Sequence, residues 1–121
     1  MEGLNRQVQG RYRTEVATIA SGASLSNEID IEGAHYLALS MSSDWTAAAV
    51  TFQAAPLSGG TFQDVYDNAG TEISISVAAS RCIEINKTAL LPLRYIKLRS
   101  GTAAGAVNQA ITRNINVLVK G

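Results

Sequence analysis

Three groups of residues have the type and spacing to do chemistry. Asp64 and Asp67 stand three residues apart in "QDVYDNAG", on the two sides of Tyr66, and could form a pair of carboxylates for acid and base work. Glu28, Asp30 and Glu32 recur at every second residue, so one face of a strand would carry three carboxylates about 7 Å apart. Hard oxygen ligands in such a row could hold calcium, but the ligand loop with its turn glycine is missing. His35 and Cys82 are the sole histidine and the sole cysteine. A nucleophile needs a base, and a metal centre needs a second soft ligand; neither is close in the sequence.

Each group also has a plainer explanation in the elements around it. Asp67-Asn68-Ala69-Gly70 is turn chemistry, with Asp and Asn bonding local backbone and Gly accepting positive φ. The acidic row reads as a strand face that is solvated or paired with Arg or Lys from a neighbour. His35 falls in register with Leu37, Leu39 and Met41, which predicts a partly buried, hydrogen-bonded ring. Cys82 in "SRCIEI" reads as a buried structural thiol. Gly59-Gly60 in "APLSGGTF" lacks the Gly-Lys-Ser/Thr ending of a phosphate loop and reads as a hairpin loop. The sequence therefore leads to no catalytic residue, no metal site and no cofactor site.

Alternation with period two dominates the chain. It predicts about nine strands, in "TEVATIAS", "SLSNEIDIEG", "HYLALSMS", "AAAVTFQAA", "TFQDVYD", "TEISISVAA", "RCIEIN", "LRYIKLRS" and "RNINVLVKG". In the fourth and fifth, Val50, Phe52 and Val65 face inward, while Thr51, Gln53 and Gln63 face outward. Tyr95, Lys97 and Arg99 are expected to point away from the core. Only "GAVNQAITRN" admits one helical turn, and an extended form fits it equally well. Strands at this spacing, parted by Gly, Pro, Asn and Ser, predict an all-β fold. The expected form is an antiparallel β-sandwich or barrel of about 8–9 strands over residues 14–121, preceded by an extended N-terminal arm at residues 1–13.

Composition bounds the function. A chain of 121 residues supplies one core and folds without metals or disulfides. Ten basic residues balance ten acidic ones, so no field draws nucleic acid or an anionic membrane. Arg94, Lys97 and Arg99 beside Tyr95 could stack on a single strand of nucleic acid, but the zero net charge opposes it. The N-terminus has no apolar run of signal-peptide length, which predicts synthesis in the cytoplasm. The arm carries Arg6, Arg11 and Arg13 against Glu2 and lacks a core pattern. It reads as a segment that docks on a partner through arginine.

The segments "HYLALSM", "DWTAAAVTFQ", "GGTFQDVYDNAGTEISI", "LRYIKLRSGT" and "VNQAITRNINVLVKG" resemble a family of small structural proteins of tailed phages and prophages. The likeness covers roughly Ala34 to Lys120. The resemblance implies a non-enzymatic cement or decoration protein with a β-sandwich, often jelly-roll-like, fold. Its partners would be the major capsid protein and itself, as a homotrimer first and a homodimer second. No nucleic acid, membrane or small-molecule substrate is expected, and the location would be the exterior of the capsid. Arg6, Arg11 and Arg13, with Pro56, Leu57 and Ser58 of the loop, are the expected contacts. The alternative is a head-fibre or a glycan- or receptor-binding module, with Tyr36, Trp45 and Tyr66 as an aromatic platform.

Overall fold

The nine expected strands all form. The structure, a computed structural model, describes residues 11–121. The strands are β1 (Tyr12–Ile19), β2 (Ile29–Asp30), β3 (Tyr36–Ser40), β4 (Val50–Ala55), β5 (Gln63–Asp64), β6 (Ser74–Ile75), β7 (Cys82–Ile85), β8 (Tyr95–Ser100) and β9 (Arg113–Lys120). Among the described residues the only helical element is a 3-10 turn at Thr88–Leu90. Of residues 105–114, which admitted a helical turn, 105–112 are irregular with a single bridge between Ala106 and Gly101, and 113–114 open β9.

The pairing is that of a long hairpin folded back at the β4–β5 loop. Antiparallel ladders join β4 to β5 and β6, β3 to β7, β2 to β8, and β1 to β9. Rolling this ribbon up sets β9 against β3 and β8 against β4. Two sheets result, β1-β9-β3-β7 and β2-β8-β4-β5, with β6 continuing the edge along β4. That order is a jelly roll, two Greek keys wrapped around one core. β5 and β6 act as one edge strand interrupted by a small excursion, closed by a bridge between Tyr66 and Glu72.

The inner faces follow the alternation. β9 buries Arg113, Ile115, Val117 and Val119 and turns Asn114, Asn116, Leu118 and Lys120 outward. Ile19, Leu39, Ile115 and Val117 from one sheet meet Val50, Phe52, Ile96 and Leu98 from the other, all essentially without solvent contact. At about 25 cal/mol per Å² of apolar surface removed from water, a buried Phe52 or Leu98 contributes roughly 2 kcal/mol.

One end of the sandwich is closed by a polar clamp. Gln109, fully buried, uses both ends of its amide. Its Nε2 donates to the Thr46 carbonyl (3.0 Å) and to Ser100 Oγ (2.7 Å). Its Oε1 accepts from the Thr46 N–H (2.9 Å) and from Arg113 Nε (3.1 Å). Trp45 sits in the same cap, 6% exposed, with Nε1 donating to the Ala48 carbonyl. A satisfied network of this kind fixes three connections, the β3–β4 loop, the β8–β9 loop and the start of β9, in one arrangement.

Candidate interaction surfaces

The carboxylates that could have done chemistry are engaged by neighbours. On the outer face of the second sheet, Arg99 of β8 pairs across the ladder with Thr51 of β4. Its guanidinium donates from Nη1 to Asp64 Oδ1 (2.7 Å), from Nη2 to Glu72 Oε2 (2.7 Å) and from Nε to Thr51 Oγ1 (3.0 Å). Glu72 also accepts from the Ala103 N–H, and Thr51 Oγ1 donates to the Gly101 carbonyl. The β8–β9 loop thus folds over Arg99 and buries it. This corrects one expectation: Arg99 and Thr51 face outward on the pleat but are buried by the loop above them. Asp64 is part of an arginine network and does not pair with Asp67. The Arg99 guanidinium, and then the Gln53 amide, hold the Asp64 carboxyl below its ordinary value.

Asp67 takes the turn role. Its Oδ1 accepts from the N–H groups of Ala69 and Thr71, both at 2.9 Å, and Gly70 adopts φ +84°. The acidic row is engaged too. Asp30 meets Arg94 at 3.2 Å and accepts from the Glu32 N–H at 2.9 Å, and Glu32 lies 3.2 Å from the same guanidinium. Desolvation works against a charged Asp30, yet the Arg94 and Glu32 hydrogen bonds outweigh it and keep its carboxyl below the usual range. Glu28 reaches the β4–β5 loop. Its carboxylate accepts from the Gly59 N–H (2.8 Å) and Ser58 Oγ (2.5 Å), which lower its pKa in that order. The described residues include no cluster of three or more His, Cys, Asp or Glu arranged to hold a metal ion.

Two further expectations are corrected. His35 lies just before β3, where its backbone N–H donates to the Lys120 carbonyl, and its ring is exposed. Cys82 is exposed, because β7 is an edge strand and its even positions face out.

The expected contact residues fall at different places. Arg6 lies outside the described residues. Arg11 extends the ladder, its carbonyl accepting from the Gly121 N–H at 2.9 Å. Arg13 is the second residue of β1, not part of a separate arm. Its Nη2 donates to the carbonyls of Asp30 (3.0 Å) and Glu32 (2.8 Å), and its Nε to Glu15 (3.2 Å), so it ties the two sheets together at their open end. Pro56, Leu57 and Ser58 form the exposed β4–β5 loop, held down by Glu28. Pro56 also borders an open groove of roughly 570 Å³ with Tyr66, Leu93 and Arg94.

Tyr36, Trp45 and Tyr66 are not brought together. Trp45 is inside the cap, Tyr66 lines the groove beside Pro56, and Tyr36 stands on the outer face of the first sheet. There a different row appears. Tyr12 of β1 and Tyr36 of β3 are both in register with Lys120 of β9. The rings are 78% and 65% exposed, and the Lys120 ammonium lies 5.3 Å from one centroid and 5.6 Å from the other. Below this row come Thr14, Leu118, Ala38 and Glu84, and then Val16, Asn116, Ser40 and Cys82. The sequence showed each strand's outer positions, but only the register reveals that they assemble into a face with two charges.

No family model matches the chain, and no curated protein sequence matches it. The chain is similar in structure to the crystal structure of the SPBc2 prophage-derived protein YomS. The TM-score is 0.52 at 13% identity, over 94% of this chain and 98% of that one. The shared feature is therefore the fold, along nearly the whole of both chains. Among the described residues no helix is long and apolar enough to cross a membrane.

Proposed function

We propose that the chain is a phage structural protein that decorates the outside of the capsid shell and stabilises the head by bridging capsomers. The observation that carries this reading is the likeness of this jelly roll, over 94% of the chain, to the fold of a prophage-derived protein. The resemblance of Ala34–Lys120 to small structural proteins of tailed phages points the same way.

The construction suits such a role. Decoration is geometric work: a rigid body must present loops and a face in fixed positions. Here the acids and arginines lock the body, with Arg99 tying β4, β5 and β8 together and Arg113 and Gln109 closing one end. What remains outward is the Pro56–Gly60 loop and a nearly uncharged sheet face. Contacts of a few kcal/mol, repeated over many copies on one shell, add up through multivalency. The proposed partners are the major capsid protein and other copies of this chain.

The test is addition of the purified protein to phage heads stripped of it, immature and expanded, followed by sedimentation. Saturable binding to expanded shells at a fixed ratio to the major capsid protein supports the reading. Absence of binding to either shell refutes it.

A further inference from the structure

We propose that the outer face of the β1-β9-β3-β7 sheet is a two-fold self-association surface, on which Lys120 of one copy pairs with Glu84 of the other. This goes beyond the capsid reading and does not depend on it.

The face is apolar where a sheet open to water is ordinarily charged. Tyr12, Val16 and Tyr36 are among the large exposed hydrophobic residues of the molecule, and all three stand on it. Leu118 and Ala38 form the floor of an open groove of roughly 350 Å³ between them. Rigid, amphipathic tyrosines around an aliphatic floor are the composition of an interface centre.

The charges identify the occupant. Of the residues in the three cross-strand rows from Tyr12 to Cys82, only Lys120 and Glu84 are ionisable as a base and an acid. Among the described residues neither has an ion-pair partner. They stand two strands and one two-residue step apart, about 12 Å by ordinary sheet spacings. A two-fold axis lying in the plane of the face, midway between them and perpendicular to the line that joins them, exchanges the two positions. Each Lys120 then meets one Glu84 of the other copy, so the ion pair forms twice per dimer, with Tyr36 and Ala38 near the axis. One basic and one acidic group on the same patch is self-complementary in this way, as an isologous contact requires. A partner with a strongly charged surface would instead leave one of the two facing a like charge. The sequence reading placed a trimer before a dimer; the layout of this face selects the dimer.

The size sets the strength. Strands of eight, eight, five and four residues, at about 3.3 Å per residue and 4.8 Å per strand, give a flat area of roughly 400 Å² per copy, below the roughly 800 Å² of a standard interface. The dimer should therefore be weak and reversible, with a dissociation constant of tens to hundreds of micromolar in order of magnitude.

The experiment is analytical ultracentrifugation of the full chain from about 5 to 500 μM, a range set by that expected constant. A monomer–dimer equilibrium is expected. K120E and E84K should each weaken it by about tenfold or more, and the double variant carrying both should recover to within about threefold of the parent. Both positions are on the surface, and far-UV circular dichroism confirms that the variants are folded. A monomer at every concentration, a trimer, a dimer indifferent to the single swaps, or a double variant that fails to recover each overturns the proposal.

Discussion

Replacing Arg99 with Leu removes three charge-assisted or polar hydrogen bonds at once, and its cost can be worked from the surroundings. The Arg99 side chain is 8% exposed, while those of Asp64 and Glu72 are 35% and 19% exposed. Removing one member of a buried ion pair costs roughly 3–5 kcal/mol because the other charge is stranded. Here the stranded carboxylates reach water in part and keep other donors, Gln53 for Asp64 and the Ala103 N–H for Glu72. Solvent screening places the loss at the low end, about 3 kcal/mol near pH 7. For a domain of this size that corresponds to roughly 10 °C in Tm. The loss should also depend on pH. Arg99 holds Asp64 below its ordinary pKa, so its contribution is fully present above the unfolded value near 4 and disappears as pH falls through the lower folded value. The variant lacks this term, so the two stability curves should converge in acid. Urea unfolding followed by fluorescence of Trp45, the single tryptophan, measures both quantities. A difference below about 1 kcal/mol at pH 7, or one unchanged between pH 7 and pH 3, would refute the argument.

The other networks make their own predictions. Gln109→Leu leaves the Thr46 backbone, Ser100 and Arg113 Nε without that partner, and should cost about 3–4 kcal/mol in urea unfolding. Gly101→Ala should cost about 3 kcal/mol, because Gly101 has φ +93° and an added Cβ would lie 2.5 Å from the Gly105 carbonyl oxygen. A thermal melt within about 2 °C of the parent would count against either account. Glu28 holds the Gly59 N–H, so the Gly59 amide resonance should titrate with a midpoint below the ordinary glutamate value; a midpoint at or above it contradicts the clamp.

Strand existence was legible because period-two alternation is strict wherever one face meets the core. Ile29 and Ile31 against Glu28, Asp30 and Glu32, or Ile115, Val117 and Val119 against Asn114 and Asn116, hold as read. The reading failed where burial comes from something other than the opposing sheet. Thr51 and Arg99 lie on the solvent side of the pleat, yet the β8–β9 loop covers them, and no local pattern encodes a loop that folds back across a ladder. His35 and Cys82 failed for the reverse reason, one lying before its strand and the other on an edge. Arg13 carried a charge that suited an arm, but its guanidinium bonds the carbonyls of β2 and the turn after it, partners seventeen and nineteen residues away. The Tyr12–Lys120–Tyr36 row joins both ends of the chain, so only the register of β1, β9 and β3 could assemble it.

The central claim, that this jelly roll stabilises a phage head from outside, is tested most directly by the temperature at which DNA-filled heads rupture. Stripped heads would be compared with the same heads saturated with added protein, with release of DNA read by dye fluorescence. The account predicts that rupture moves to higher temperature in proportion to occupancy and plateaus at full decoration. Rupture at an unchanged temperature with the protein bound at saturation would contradict it.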